Sequence, residues 1–242
     1  MADHSITMLG RQAGLLEATQ ILANNMANAS TPGYKSEGTI FAEHVVAAGE
    51  RQPSLSIGHL VAHSTDFSAG AMRETGNTFD LAIDGDGFFK VNTPEGPRLT
   101  RAGAFLLNLE GVLVDPQGNP VADSGGGEIV FTPEATNITI ARDGTISFSG
   151  PGTGSQQIGE VGVFQPIGEP QRAGTNYWEA EGDQAIEFPN IVQGFLEQSN
   201  VSPMDEFAQL VMVQRWFDAG QTLAEQEHDR LESLINAIRQ QG

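Results

Sequence analysis

Asp84 and Asp86 stand two apart in DGDGFFKVNTPE, and Glu95 occupies the twelfth position of that stretch, which outlines a calcium-binding loop. The fifth and sixth positions are Phe88 and Phe89. Such a loop needs an oxygen ligand and a glycine there, so the stretch reads as a tight turn between strands. His59 and His63 share a spacing that holds zinc on a helix, but no acid follows in the metalloprotease pattern and the surroundings read as extended. They are read as solvated linker histidines, with His4, His44 and His228 scattered elsewhere. GPGTGSQQIG lacks the Gly-Lys-Ser/Thr of a phosphate loop and reads as a flexible hairpin tip. The chain has no cysteine, which excludes disulfides, thiol nucleophiles and thiolate metal sites. No glycine-any-serine-any-glycine pattern occurs, and the many carboxylates read as a solvated face. No group of residues makes a catalytic constellation. The expectation is therefore no enzyme, no cofactor and no metal.

One cluster of polar side chains does stand out. Asn24, Asn25 and Asn28 crowd the stretch LANNMANASTPGYKSEG, where a helix-like pattern stops. Each amide carries donors and an acceptor, and a helix end has backbone groups in need of both. Two readings stay open: the amides merely terminate the helix, or they lock contacts with neighbouring chains at a junction.

The elements that hold this cluster are legible from spacing. Ile6, Leu9, Ala13, Leu16, Gln20, Ala23 and Ala27 alternate three and four apart, which predicts a helix over about residues 4–28 with a heptad seam. Pro32 and Gly33 then disfavour helix. At the other end, Ser202 caps, Pro203 fits the first helical position, and Asp205 and Glu206 suit the first turn. The seam continues through Phe207, Leu210, Gln214, Phe217, Gln221, Ala224, His228, Leu231, Ile235 and Ile238, predicting a helix over about 203–240. Between the two ends lie short runs of β-formers punctuated by Asp-Gly at 84–85, 86–87 and 143–144. The fold expected is α+β. Long N- and C-terminal helices pack together as a coiled-coil-like assembly region, and an all-β domain is inserted between them. Residues 1–34 and 200–242 form the helical part, 35–74 an extended linker, 75–190 the β-domain and 191–199 the return linker. The candidate assembly interface comprises Ile6, Leu9, Leu16, Asn24, Asn25, Asn28, Phe207, Leu210, Phe217, Leu231, Ile235 and Ile238.

Charge and hydropathy narrow the partners. A formal net charge of -19 over 242 residues repels nucleic-acid backbones and anionic membrane surfaces. No apolar run approaches the ~20 residues of a membrane span. The first twelve residues show no apolar signal-peptide core, which by itself predicts a cytoplasmic chain.

ANNMANASTPGYK (Ala23–Lys35) resembles the N-terminal motif of bacterial flagellar rod and hook proteins. TGNTFDLAIDGDGFFKV (Thr75–Val91) resembles the family's lead into its β-domain, and LTRAGAF (Leu99–Phe105) with GVLVDPQGNPV (Gly111–Val121) continues the likeness. VQGFLEQSNVSPMDEF (Val192–Phe207) is similar to the start of its C-terminal helix, while residues 122–190 carry no signature. The resemblance implies a structural subunit of the flagellar basal-body rod, the driveshaft, polymerising with copies of itself and other rod proteins in a helical tube. It implies passage through the flagellar type III export apparatus without a cleaved signal, assembly in the periplasm and no membrane insertion. The length, and the departure of QRWFDAGQTLAEQEHDRLESLI from the distal-rod pattern, favour a proximal rod protein of the size class with an inserted β-domain. A distal rod protein is the alternative, and a secreted oligomeric binding module is the alternative of another class.

Overall fold

The computed structural model describes residues 2–46, 55–133, 135–149 and 155–240. Among them are two helices and seventeen strands. The chain divides into two compact units: residues 1–29, 36–66 and 201–242 make a helical unit, and residues 30–35 and 67–200 make a β unit.

The helical unit contains α1 (Ala2–Ala27), β1 (Glu37–Val46), β2 (Leu55–Thr65) and α2 (Pro203–Gln240). The start of α2 follows from its residues. Pro203 loses no hydrogen bond at the first position, the Glu206 amide donates to the Ser202 carbonyl at 3.0 Å, and Asp205 and Glu206 complement the positive end of the helix dipole. β1 and β2 pair antiparallel from Glu37–Thr65 to Val46–Leu55, with a register shift at Ile40/Phe41, and both strands contact α1. The sequence gives no alternation here, so the stretch expected to be linker is instead a hairpin. Two strands alone are marginal in water, and α1 supplies the second layer they need.

The expected coiled-coil-like assembly region with a single all-β insert is therefore a correction to make. Among the described residues the strands form six sheets, one of them in the helical unit. The common core of the two helices is a short cluster of Leu15, Ala18, Leu22 and Val213, with Leu210 and Phe217 packed against it. On α1 the expected seam is rotated by about one residue. Ala13, Leu16, Gln20, Ala23 and Ala27 are exposed, while Leu15, Ala18, Leu22 and Asn25, spaced three, four and three, face inward. On α2 the inward side runs Glu206, Leu210, Val213, Phe217, Gly220 and Ala224, so Leu210 and Phe217 lie on it whereas Phe207, Gln214 and Gln221 are exposed. The physical reason is that α1 must cover a hairpin as well as α2. Its larger side chains, Leu15, Ile21 and Leu22, go where those two walls meet. The side chains of Ile6, Leu9, Leu231, Ile235 and Ile238 lie outside the described residues.

The β unit is built around a six-stranded antiparallel sheet in the order Gln171–Arg172, Trp178–Glu179, Gly96–Thr100, Phe88–Thr93, Val163–Ile167, Gly182–Ala185. A three-stranded sheet (Thr136–Ile140, Thr145–Ser149, Gln156–Glu160) and small strand pairs complete it. Successive strand residues point to opposite faces, and here both faces are filled. Phe89 and Val163 join one apolar core with Leu81, Leu113 and Ile146. Their neighbours Phe88 and Phe164 join a second with Leu99 and Trp178. Gly103 permits the chain to cross the Leu81–Ile83 strand, because a Cβ there would sit 1.7 Å from the Leu81 carbonyl oxygen.

The inward assignment of α1 is testable. Leu22→Ala should cost the helical unit about 2–5 kcal/mol, the range for truncating a buried leucine. Leu16→Ala should shift it by less than ~0.5 kcal/mol, as expected of an exposed site. Thermal melts of the free chain followed by circular dichroism at the helical band check both, and the reverse order would restore the original seam.

Candidate functional site

The end of α1 uses its three asparagines differently. Asn24 and Asn28 bond to each other, with the Asn28 side-chain amide donating to the Asn24 carbonyl at 2.9 Å and to its Oδ1 at 3.0 Å. The Asn28 backbone amide closes the last turn onto the Asn24 and Asn25 carbonyls. Asn25 instead turns inward and is buried. Its Nδ2 donates to the Glu37 carbonyl at 2.8 Å, and its Oδ1 accepts the Glu37 amide at 3.0 Å. The side chain thus pairs with the first residue of β1 as a neighbouring strand would. Asn25 Nδ2 also reaches Glu206 Oε1 at 3.3 Å, tying the start of α2 to the same point.

Within the β unit, residues 30–35 form a clamp. Gly33 holds a positive φ of 70°, which favours glycine. A Cβ there would lie 2.4 Å from the Arg101 carbonyl carbon and 2.6 Å from its oxygen, so the residue is fixed twice over. The Gly33 amide donates to the Glu197 carbonyl at 2.8 Å. Tyr34 is fully buried, and the Arg172 guanidinium lies 4.9 Å from its ring centre. The same guanidinium donates to the Lys35 carbonyl at 2.5 Å.

Lys35, Glu197 and Arg101 then form an ionic knot with exposures of 1%, 2% and 6%, too low for water to replace a missing partner. Lys35 Nζ donates to Glu197 Oε1 at 2.6 Å and to the Ser68 carbonyl at 2.7 Å. Glu197 Oε1 also accepts the Gly70 amide at 3.0 Å, and Glu197 Oε2 accepts Arg101 Nη1 at 3.3 Å. Arg101 Nη2 donates to the Gly85 carbonyl at 2.9 Å. Two cations share one carboxylate, and the surplus charge meets aromatic faces: Arg101 sits 5.2 Å from the Phe88 ring centre. The sequence reading singled out none of these three residues. The signal was a lone charge inside an apolar motif: PGYK, LTRAGAF and GFLEQ.

The Asp84–Asp86 stretch forms a turn. Gly85 and Gly87 take φ values of 131° and 108° in the turn before Phe88, and Asp84 accepts a hydrogen bond from Asn190 at 2.8 Å. Among the described residues no group of three acids or histidines is placed to hold a metal ion. His63 Nε2 lies 3.0 Å from Glu17 Oε1. The side chain of His59 and residues 150–154 of the glycine-rich stretch lie outside the described residues.

Lys35→Met strands Glu197 beside Arg101 alone and should destabilise the β unit by about 3–5 kcal/mol, the cost of breaking a buried pair. Gly33→Ala should destabilise it as well, because the backbone of Arg101 cannot yield; Trp178 fluorescence during denaturant titration reads both. In the helical unit, Glu206 makes stability depend on pH. Burial pushes its carboxyl above the ordinary range, with Asn25 pulling the other way. The folded chain therefore holds that proton to higher pH than the unfolded chain, and the resulting stabilisation is lost as pH rises through the folded value. The melting temperature of Glu206→Gln relative to the unaltered chain should rise as pH climbs above about 4.3, the ordinary glutamate value. A constant difference would show that the group is not so perturbed.

Comparison with known proteins meets this geometry at three places. Residues 9–35 match the family model of the flagella basal body rod protein, residues 82–148 that of the flagellar hook protein FlgE/F/G D1 domain, and residues 192–237 that of the flagellar basal body rod FlgEFG protein C-terminal region. Lys35, Arg101 and Glu197 each come from a different one of these segments. The chain is 35% identical over 219 residues to the flagellar basal-body rod protein FlgF of Caulobacter vibrioides, covering 87% of each. It is 32% identical over 246 residues to FlgF of Mesorhizobium japonicum, covering 98% of each. To the flagellar basal-body rod protein FlgG of Bacillus subtilis it is 31% identical over 244 residues, covering 90% of this chain and 92% of that one. A knot that draws one residue from each matched segment, and relatives aligned along nearly the whole length, place this chain in the flagellar basal-body rod protein family.

Proposed function

We propose that the chain is a structural subunit of the flagellar basal-body rod that polymerises through its helical unit with copies of itself and with other rod proteins. One observation carries the mode of assembly. The helical unit leaves large apolar side chains outside its own small core: Leu16 is 54% exposed, Phe207 53%, Trp216 54% and Leu223 52%. Scattered single apolar residues on a surface need no explanation, but these repeat along two helices whose shared core is only a short cluster. Helices from neighbouring chains supply the missing cover. Leu16 and Phe207, expected from sequence as interface residues, then serve between chains, whereas Leu210, Phe217 and Asn25 hold the unit itself together.

The proposal extends to a position in the proximal rod, passage through the flagellar type III export apparatus, assembly in the periplasm, and no catalytic role. In this reading the -19 net charge keeps free subunits soluble and apart until the helices find related chains.

The test pairs a deletion strain with complementation. Loss of the gene should abolish swimming, and the unaltered chain should restore it and co-purify with basal bodies. Leu16→Asp with Trp216→Asp should fail to restore swimming. As a purified monomer it should keep the buried Trp178 emission and the melt of the β unit, because both sites are exposed in the single chain. Normal swimming of that variant would remove these faces from the interface. Normal swimming of the deletion strain would remove the chain from the rod.

A further inference from the structure

The helical unit contains a groove of about 540 Å³ between α1, the hairpin and the first four turns of α2. One wall is apolar: Ile21 and Leu22 from α1, Met212 and Trp216 from α2. Glu37, Asp66 and Glu206 also line the groove. Glu206, Gln209, Val213 and Trp216, spaced three, four and three along α2, line the groove together, and Met212 flanks them. Met212 is 47% exposed and Trp216 54%, which leaves the rim open. Glu206 Oε1 accepts from Asn25, but its Oε2 is buried and has no hydrogen-bond donor among the described residues.

An acceptor removed from water with nothing to accept is costly, and a carboxylate beneath an aromatic rim favours one kind of guest. An anion is repelled by the Glu206 carboxylate. A purely apolar side chain leaves Glu206 Oε2 unsatisfied. A guanidinium or ammonium on an apolar stem satisfies the carboxylate, lays its stem on Ile21 and Leu22, and meets the Trp216 ring with its charge.

We propose that this groove receives an arginine or lysine, flanked by apolar residues, from a helix of a neighbouring axial subunit, and that Glu206 is the residue that recognises it. The proposal rests on the rod reading and adds the chemistry of the contact. Burial raises the proton affinity of the Glu206 carboxyl in the free chain, and a cation beside it favours the ionised form instead.

Glu206→Gln separates this role from a structural one, since glutamine keeps the oxygen that Asn25 uses and discards the charge. The variant should fold at least as stably as the unaltered chain yet lose swimming and be depleted from basal bodies. A benzophenone-bearing amino acid placed at position 212 then identifies the guest. In basal bodies it should cross-link to another axial subunit, in a peptide with an arginine or lysine within one helical turn of the attachment point. Reversing that cation to glutamate should abolish swimming, and Glu206→Lys should restore it. Unimpaired swimming of Glu206→Gln, a cross-linked peptide without a cation, or cross-links confined to the same chain would each overturn the proposal. If the unaltered chain co-purifies with basal bodies while these results appear, the rod reading stands and only the groove assignment falls. If the chain is absent from basal bodies, the rod reading falls first.

Discussion

Glu197 is the residue around which the β unit is tied. It is buried in contact with Lys35 and Arg101, and taking ions out of water costs several kcal/mol each even when they are paired. Apolar residues of similar volume fill such a space at least as stably, so stability alone does not account for the arrangement. Geometry does. An apolar cluster tolerates sliding, whereas Glu197 must present one oxygen to Lys35 and the Gly70 amide and the other to Arg101. Residues 33–35, 68–70, 101 and 197 are thereby fixed to one another at atomic spacing. Every segment through which the chain enters or leaves the β unit passes within a few residues of that point.

The surplus positive charge of the knot explains the aromatic residues around it. Arg172 lies against both Tyr34 and Trp178, and Arg101 against Phe88. Phe67, Phe88 and Trp178 are in turn packed edge-on or tilted against one another. The second apolar core of the six-stranded sheet is thus also the cushion on which the cations rest. This is why neighbouring Phe88 and Phe89 must both be large. One completes the main core and the other backs the knot, on opposite sides of a single strand.

Sequence made some of this legible and hid the rest for identifiable reasons. The start of α2 could be read because Ser202, Pro203, Asp205 and Glu206 each have a local reason to stand there. The β texture of the middle could be read because Asp-Gly dipeptides mark turns. The seam of α1 was misplaced because Leu15 and Leu16 are adjacent and alanines occur on every side, so a one-residue rotation gives an equally apolar stripe. The hairpin at 37–65 escaped because β1 and β2 lack an alternating pattern and draw their cover from a helix distant in sequence. The knot escaped because charged residues are ordinarily exposed, and nothing local tells Lys35 that Glu197 lies 2.6 Å away. The expected interface residues divide accordingly. Those chosen for size on the outer side, Leu16 and Phe207, are exposed, while Asn25, chosen for its hydrogen bonds, uses them within its own chain.

The outer side of α1 is made of Gly10, Ala13, Leu16, Gln20, Ala23 and Ala27, mostly short side chains. Helix axes lie about 8–10 Å apart depending on the residues between them, and glycine and alanine allow the near end of that range. Helices spaced at about 8 Å close on a circle roughly a fifth smaller than the same number spaced at about 10 Å. A small-residue face therefore limits the bore and wall of any cylinder it lines. In the proposed rod, Ala13, Ala23 and Ala27, exposed in the single chain, are the residues whose enlargement would change the diameter of the finished shaft.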